Sequence, residues 1–506
     1  MIRCATSIIG GALGGACLWL AFPGPAGGFY PLVFVGLALL FGLTRARGAR
    51  QAGLTALAWG SAFFIPHISW AREAVGTAGP WLALAGVQIA IVTVWAIALG
   101  WVWSARALRR HAWLWWLLVS LTYPGVEQLR AHVPYGGFGW GIVAYPLVDS
   151  PLKSLAPWIG EVGLSIVAAA ISAGLVLAIA PLSRIRHRIG GLAIIIALVA
   201  AASVLPLNDA GGAPVRVAAV QGNVDRPVKQ TYGSGQVLRN HVDETVRSLD
   251  GASVDIVLWG EHAADRDPDT DAFARAQLER AEAVLDAPLL YGAVRTEGTR
   301  RWGEYRWAGH PEATYAKRHP VPFGEYIPDR GFYARLSSEV DQITTDMVAG
   351  QSGGVMPVAT RHGTVNLGIA LCFEAAFDRH VRDDVQHGAE IIVVPTNNAL
   401  FGTSAESVQQ LQMTRLRALE YARPAIQVST QGVSAIVRPD GSLSARSQLF
   451  TARTLIADVT PATMMTPAAR IGSGLEYATM ALALAWVGLT LLSSPVIAYR
   501  RHKRGD

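Results

Sequence analysis

Apolar residues run along this chain in two regimes. Up to about residue 206, and again near the C-terminus, long apolar stretches alternate with short polar connections. Crossing a ~30 Å hydrocarbon core takes about 20 residues of helix. Eight stretches approach or reach that length: 6–24, 29–44, 52–71, 81–103, 113–131, 155–181, 189–206 and 475–498. The pattern predicts a polytopic α-helical membrane domain of eight transmembrane helices. Its weakest members are the short second stretch and the fifth, which contains Pro124.

Between residues 207 and about 465 the rhythm changes. Short β-branched runs at 215–220, 254–258, 288–294, 365–371, 391–395 and 425–429 alternate with helical patterns at 236–249, 269–287, 377–387 and 404–422. Such alternation predicts a layered α/β domain, and Asp440-Gly441 predicts a tight hairpin. The expected organisation is therefore 1–206 membrane helices, 207–465 an α/β domain, and 466–506 a last helix with a basic tail.

Charge orients this arrangement. Arg3, Arg45, Arg47, Arg50, Arg106, Arg109, Arg110, Arg184, Arg186, Arg188, Arg500, Arg501, Lys503 and Arg504 fall on one side of the alternating spans. Only Arg72, Arg130 and Lys153 fall in the opposite short loops. Positive charge stays in the cytoplasm. Both termini are thus expected there and the α/β domain outside. The first stretch is read as a span rather than a signal peptide, because seven more follow and Arg3 alone is a thin basic region. The small residues before Cys17 read as helix packing rather than a lipoprotein cleavage site.

Composition agrees. Charged residues make up 16% of the 506 and apolar ones 51%, against about 25% charged in soluble proteins. The net charge of +6 does not imply nucleic acid, because the cations flank apolar stretches without zinc-finger spacing or an RNA-binding aromatic pattern. Three cysteines, Cys4, Cys17 and Cys372, offer no disulfide framework.

Two strands of the α/β domain end in reactive groups: 254–260 delivers Glu261, and 365–371 delivers Cys372. Ligands in α/β sheets lie beyond the carboxyl ends of strands. Cys372 would sit at a strand-to-helix turn, where a helix N-terminus favours thiolate; the other reading is a small buried hydrophobe. Lys317 and Glu325 fall in a Pro- and Gly-rich loop, 315–328, too broken for a helix interior. In isolation, Glu261 reads as a surface carboxylate and Lys317 as a solvated loop cation. No metal cluster or nucleotide loop is visible, so neither metal nor cofactor is expected. The twelve histidines are scattered, and His262 and His319 are only neighbours of these groups.

Taken in order, Gln221-Gly-Asn223, Glu261 after its strand, Lys317, Val321-Pro-Phe-Gly-Glu-Tyr-Ile-Pro328, Leu371-Cys-Phe-Glu374, Asn397-Asn-Ala-Leu-Phe-Gly402 and Gln412-Met-Thr-Arg-Leu-Arg-Ala-Leu-Glu420 resemble the nitrilase superfamily. With eight spans around them, essentially the whole chain resembles its membrane branch, the bacterial apolipoprotein N-acyltransferases. That resemblance implies an αββα sandwich with Cys372 as nucleophile, Glu261 as general base and Lys317 as oxyanion stabiliser. Glu325, Glu374 and Phe373 would support the site. It also implies acyl transfer from a phospholipid to the N-terminal amine of a diacylglyceryl apolipoprotein through a Cys372 thioester. The setting would be the bacterial cytoplasmic membrane, with the enzyme a monomer in the bilayer. The chain departs from the family where Gly260 replaces a common proline and Phe373 a common tyrosine.

A membrane-resident donor requires an opening at the bilayer surface. Phe332, Tyr333 and Leu336, with Phe138 and Trp140 in the loop 136–141, are apolar candidates for substrate entry or a lid; the alternative is simple packing. Three other readings compete: a membrane-anchored small-molecule amidase, a catalytically silent scaffold, and a transporter. Eight spans exceed what an anchor needs. The intact Glu–Lys–Cys set argues against a silent protein, and the scarcity of charges within the spans argues against a transporter.

Overall fold

The computed structural model describes residues 2–45, 48–102, 111–179, 185–205, 212–225 and 228–492. Arg47, Arg106, Arg109, Arg110, Arg184, Arg500, Arg501, Lys503 and Arg504 lie outside them, as do the far ends of the expected spans 81–103, 155–181, 189–206 and 475–498. The chain forms two compact units, one comprising Met1–Arg72, Gly76–Pro206 and Ile471–Asp506, the other Glu73–Val75 and Leu207–Arg470.

Helices account for the apolar regime: α1 (Ile2–Ala21), α2 (Leu32–Thr44), α3 (Ala49–His67), the short α4 (Trp70–Val75), α5 (Ala78–Val102), α6 (Ala112–Arg130), α7 (Ala156–Ile179), α8 (Ile185–Val204) and, after the α/β unit, α16 (Gly474–Leu492). Each of the eight apolar stretches is helical over most of its length. Among the described residues, five helical segments are long and apolar enough to cross a membrane: Cys4–Ala21, Ala78–Val102, Pro151–Ile179, Ile185–Ala202 and Gly474–Leu492. With 13 residues, α2 is ~20 Å long, short of the hydrocarbon thickness. The stretch 52–71 is not one helix, since α3 stops just after Pro66 and α4 starts at Trp70. By contrast, α6 continues through Pro124.

A buried arginine organises the loop after α6. Arg130 donates to Gln88 Oε1 at 2.8 Å and to the Trp140 carbonyl at 3.2 Å, with its guanidinium over the Phe64 ring. Glu127 accepts from the Val143 N–H at 3.0 Å. Phe138 and Trp140 are consequently buried, stacked on each other and packed against Trp70. They are not the exposed interfacial tips that the sequence suggested, because the polar grip on the loop turns both rings into the helical core.

The α/β unit contains β1 (Val215–Gln221), α9 (Val228–Thr231), α10 (Gln236–Leu249), β2 (Ile256–Trp259), α11 (Ala272–Glu282), β3 (Leu289–Glu297), β4 (Arg300–Trp307), β5 (His310–Ala316), α12 (Arg330–Tyr333), β6 (Asp346–Met347), β7 (Val355–Thr360), β8 (Gly363–Ile369), α13 (Asp378–Gln386), β9 (Ile391–Thr396), α14 (Glu406–Tyr421), β10 (Ala425–Ser429), β11 (Ala435–Val437), β12 (Leu443–Arg446), β13 (Arg453–Val459) and α15 (Pro467–Ile471). One sheet has the order β13-β1-β2-β3-β4-β5, with β6 beside β4; the other runs β12-β11-β10-β9-β8-β7. Central neighbours are parallel, with Val217 opposite Ile256 and Leu367 opposite Ile391.

Strand side chains alternate between faces, and this alternation builds the layers. Val215, Val217 and Ala219 of β1 pack with Leu367, Ile369, Val393 and Val428 in the core between the sheets. The intervening Ala218 and Val220 face outward, onto Leu238 and Val242 of α10 and Leu278 of α11. On the opposite flank, Ile392 and Val394 pack with Val381 and Val385 of α13 and Leu411 and Ala418 of α14. The result is an αββα sandwich. The hairpin at Asp440-Gly441 joins β11 to β12, with Gly441 at φ +75°.

Candidate active site

Glu261 follows the end of β2. A side chain at Gly260 would come within 2.8–3.0 Å of backbone from Thr430, Ser429 and Thr396. Its carbonyl accepts from Gly292 and Ala263. The glycine lets the turn press against neighbouring strand ends. Gly292 leaves similar room: a Cβ there would sit 2.6 Å from the Glu261 Cα.

Lys317 follows β5. Its N–H donates to the Gly303 carbonyl and its own carbonyl accepts from Gly350, both at 2.8 Å. That clamp directs the ammonium inward, where Nζ donates to Glu261 Oε1 at 2.8 Å and Glu325 Oε1 at 2.7 Å. The Lys317 side chain is 1% exposed, so it is a buried group and not a solvated loop cation. The other oxygen of Glu325 accepts from the Val321 N–H, which ties the proline-rich loop to the ammonium.

Cys372 comes three residues beyond β8, at φ +49°. This left-handed conformation is costly for a residue with a Cβ and is held from both sides. Glu374 Oε2 accepts from the Leu371 N–H at 2.7 Å, while Oε1 accepts from the N–H groups of Arg318 and His319 at 2.7 and 2.9 Å. The Tyr315 hydroxyl donates to the same carboxylate. Glu374 thereby joins the cysteine turn to the lysine loop. Phe373 is buried against Phe377 and His319.

The three expected groups meet here. The Glu261 carboxylate receives Lys317, and its charge faces the Cys372 thiol. Burial alone would raise the Glu261 pKa; the Lys317 ammonium with its hydrogen bond, and His262, outweigh it and hold the carboxyl below its ordinary value. The thiol moves the other way. Burial and then the Glu261 charge push Cys372 well above the usual thiol range, against Lys317 and an N–H from Asn397. The sequence expectation of a helix-stabilised thiolate is corrected on this point. Cys372 opens only a single 3-10 turn, Cys372–Ala376, and an adjacent carboxylate disfavours a second anion. The resting pair is a neutral thiol beside an ionised carboxylate. Lys317 is pushed up by Glu261 and Glu325 despite its burial and remains an ammonium.

Several groups around the sulfur carried no sequence signal of their own. Gln410 Nε2 lies 3.5 Å from Cys372 Sγ. Asn397 Nδ2 is 3.3 Å from His262 Nδ1, and its Oδ1 accepts from the Tyr232 hydroxyl. Asn397 and Asn398 lie inside a recognised stretch, whereas Gln410 falls just before one. His319 is lowered to about 4 by burial and then by Arg379 and Lys317, and packs against Phe377. The entry candidates Phe332 and Leu336 are exposed, and Tyr333 sits between them with its ring edge-on to Phe323 and Phe332. Among the described residues, no group of three His, Cys, Asp or Glu could hold a metal ion.

Comparison with known proteins gives two family matches. Residues 14–174 match the apolipoprotein N-acyltransferase N-terminal domain, and residues 300–466 match carbon-nitrogen hydrolase. The apolipoprotein N-acyltransferase of Mycolicibacterium smegmatis is 33% identical over 540 residues, covering 99% of this chain and 88% of that protein. The Pseudomonas syringae pv. tomato protein of the same name is 29% identical, covering 87% and 88%. Among solved structures, a mutant of the Nesterenkonia AN1 amidase from the nitrilase superfamily is 18% identical, with a TM-score of 0.39, covering 53% of this chain and 98% of that one.

Proposed function

Since this chain belongs to the apolipoprotein N-acyltransferase family, we propose that Cys372, Glu261 and Lys317 carry its reaction as nucleophile, base and oxyanion stabiliser. The enzyme moves a fatty acyl chain from a membrane phospholipid to the N-terminal amine of the diacylglyceryl-cysteine of an apolipoprotein. The observation carrying the residue assignment is the buried Lys317–Glu261 ion pair at 2.8 Å, both of whose charges face the Cys372 thiol.

In the first half-reaction the sulfur attacks the donor's ester carbonyl as Glu261 takes the thiol proton. Because the resting thiol is neutral, proton loss and attack are coupled. An ammonium has three N–H donors. Lys317 spends two on Glu261 and Glu325, leaving the third for the oxyanion, where such donors contribute most. Collapse breaks the C–O bond, Glu261 returns its proton to the leaving oxygen, and lysophospholipid departs from a Cys372 thioester. In the second half-reaction the lipoprotein amine forms the C–N bond, the C–S bond breaks, and the amine's proton restores the thiol. Glu325 and Glu374 hold the lysine loop and the cysteine turn in register.

The site is extracytoplasmic in this reading, on a membrane unit of eight spans with both termini in the cytoplasm. The asymmetry of Arg and Lys between alternate loops supports that placement. Phe332, Tyr333 and Leu336 serve the lipid-facing entry, supported by the exposure of Phe332 and Leu336. No cofactor takes part, and the working enzyme is a monomer.

The test is an intact mass after incubation with phospholipid alone. Wild type gains one acyl chain, removable by hydroxylamine and transferred when a diacylated lipopeptide is added. Acylation of Cys372→Ala to the same extent would refute the assignment.

A further inference from the structure

The sulfur has more around it than a base and a cation. Glu406 and Gln410 stand one turn apart on α14 and so share a face. Asn398 bridges them: its Nδ2 donates to Glu406 Oε2 at 2.7 Å and to Gln410 Oε1 at 2.9 Å. All three are at most 2% exposed.

The hydrogen bonds fix which way each amide points. The Gly432 N–H, an obligate donor, gives to Ser429 Oγ at 2.8 Å. The Ser429 hydroxyl donates its one hydrogen to Asn398 Oδ1 at 2.6 Å, and Thr396 Oγ1 donates to the same atom at 2.9 Å. With its oxygen so occupied, Asn398 presents its two N–H bonds to Glu406 and Gln410. Gln410 then has its oxygen engaged, and its NH2 group faces Cys372 Sγ at 3.5 Å.

We propose that Gln410 is a further catalytic residue, an N–H donor that stabilises negative charge on the Cys372 sulfur, and that Asn398 and Glu406 are positioning residues that keep its amide from flipping. The Gln410 N–H favours the negative sulfur that forms as the thiol proton passes to Glu261, and it matters again when the thioester collapses and sulfur leaves. Glu406 is suited to its place as a neutral acceptor: burial, followed by the charge of Glu261, pushes its carboxyl up to about 8 although the bond from Asn398 pulls the other way. An ionised Glu406 would oppose charge on the sulfur.

The proposal rests on Cys372 as the acyl carrier, so its test uses no substrate. Alkylation of Cys372 by iodoacetamide is followed by mass spectrometry on the full chain in detergent, with Cys4 and Cys17 changed to serine. The pH is varied from about 6 to 10 around the ordinary thiol value. The charged groups facing the sulfur are Glu261, Lys317 and Glu406, and only the last is varied. Gln410→Leu should move the profile to higher pH and slow alkylation at neutral pH on the order of ten- to a hundredfold, the effect of losing a hydrogen bond to a charged group. Gln410→Met, similar in volume, should do the same and serves if the leucine variant fails to fold. Glu406→Leu should shift the profile in the same direction. Glu406→Gln, which keeps a neutral group with an acceptor oxygen, should restore it to within about threefold of wild type, well inside the effect of losing the donor. A folded Gln410 variant with a wild-type profile would overturn the role of Gln410, and equal shifts in both Glu406 variants would overturn that of Glu406. Acyl loading of Cys372→Ala would instead remove the underlying reading, independently of the alkylation series.

Discussion

Replacing Lys317 by methionine, a chain of similar length without charge, tests the centre of the site. The ammonium is bonded to two carboxylates at 2.8 and 2.7 Å, with side chains 4% and 15% exposed. Water can do little to screen what is left behind. Removing one partner from a buried ion pair costs roughly 3–5 kcal/mol, or on the order of 10 °C in unfolding temperature for a domain of this size. The cost should depend on pH. In the wild type Glu261 is held below its ordinary value, so its stabilising contribution is present above the unfolded carboxyl pKa and lost as pH falls through the lower folded value. In the variant the ammonium, the largest influence opposing burial, is gone, so the folded Glu261 carboxyl rises above that pKa. Stability is then lost as pH increases through the range between unfolded and folded values. The difference between the two proteins should widen from about pH 5 to about pH 8. Thermal unfolding in detergent at several pH values measures it, and thioester formation should fall on the order of a hundredfold or more. A stability difference that is flat or narrows with rising pH would refute the ion-pair account of the site.

Glu374→Gln should destabilise the α/β unit and suppress thioester formation without touching the sulfur. Its NH2 group would oppose obligate N–H donors from Leu371, Arg318 or His319, at about 1–3 kcal/mol for each group left unpaired; unchanged melting and acylation would count against this coupling. Reporter fusions after Arg186 and after Gly441 should report opposite compartments, and cytoplasm for both would overturn the proposed orientation. Serine at Phe332, Tyr333 and Leu336 should slow acylation by bilayer-embedded phospholipid more than by a soluble short-chain ester. Equal slowing would reduce these side chains to a structural role.

Local sequence was sufficient for the elements that carry their own pattern. Apolar stretches became helices because an all-round apolar helix depends little on its neighbours for its assignment. β10, buried along its whole length, was bounded correctly. The strands β4, β5 and β7 were not read as strands: β4 is rich in Arg and Trp, and all three depend on pairing with neighbours rather than on a buried apolar run. The break between α3 and α4 and the burial of Phe138 and Trp140 also escaped, because long-range packing and hydrogen bonds decide both. Glu261, Lys317 and Cys372 were legible only as an ordered set resembling a known family, since strand ends and loop composition alone left Glu261 and Lys317 as ordinary surface charges. Their ionisation was not. Whether Cys372 rests as thiol or thiolate depends on an ion pair joining residues 56 positions apart and on burial that exists only once both sheets have packed. Nor could sequence orient the Gln410 amide, which is set through Asn398 by hydroxyl and backbone donors from a separate strand and the turn beyond it. A side chain's identity is local information; its charge state and the direction of its donors belong to the field that the whole fold creates.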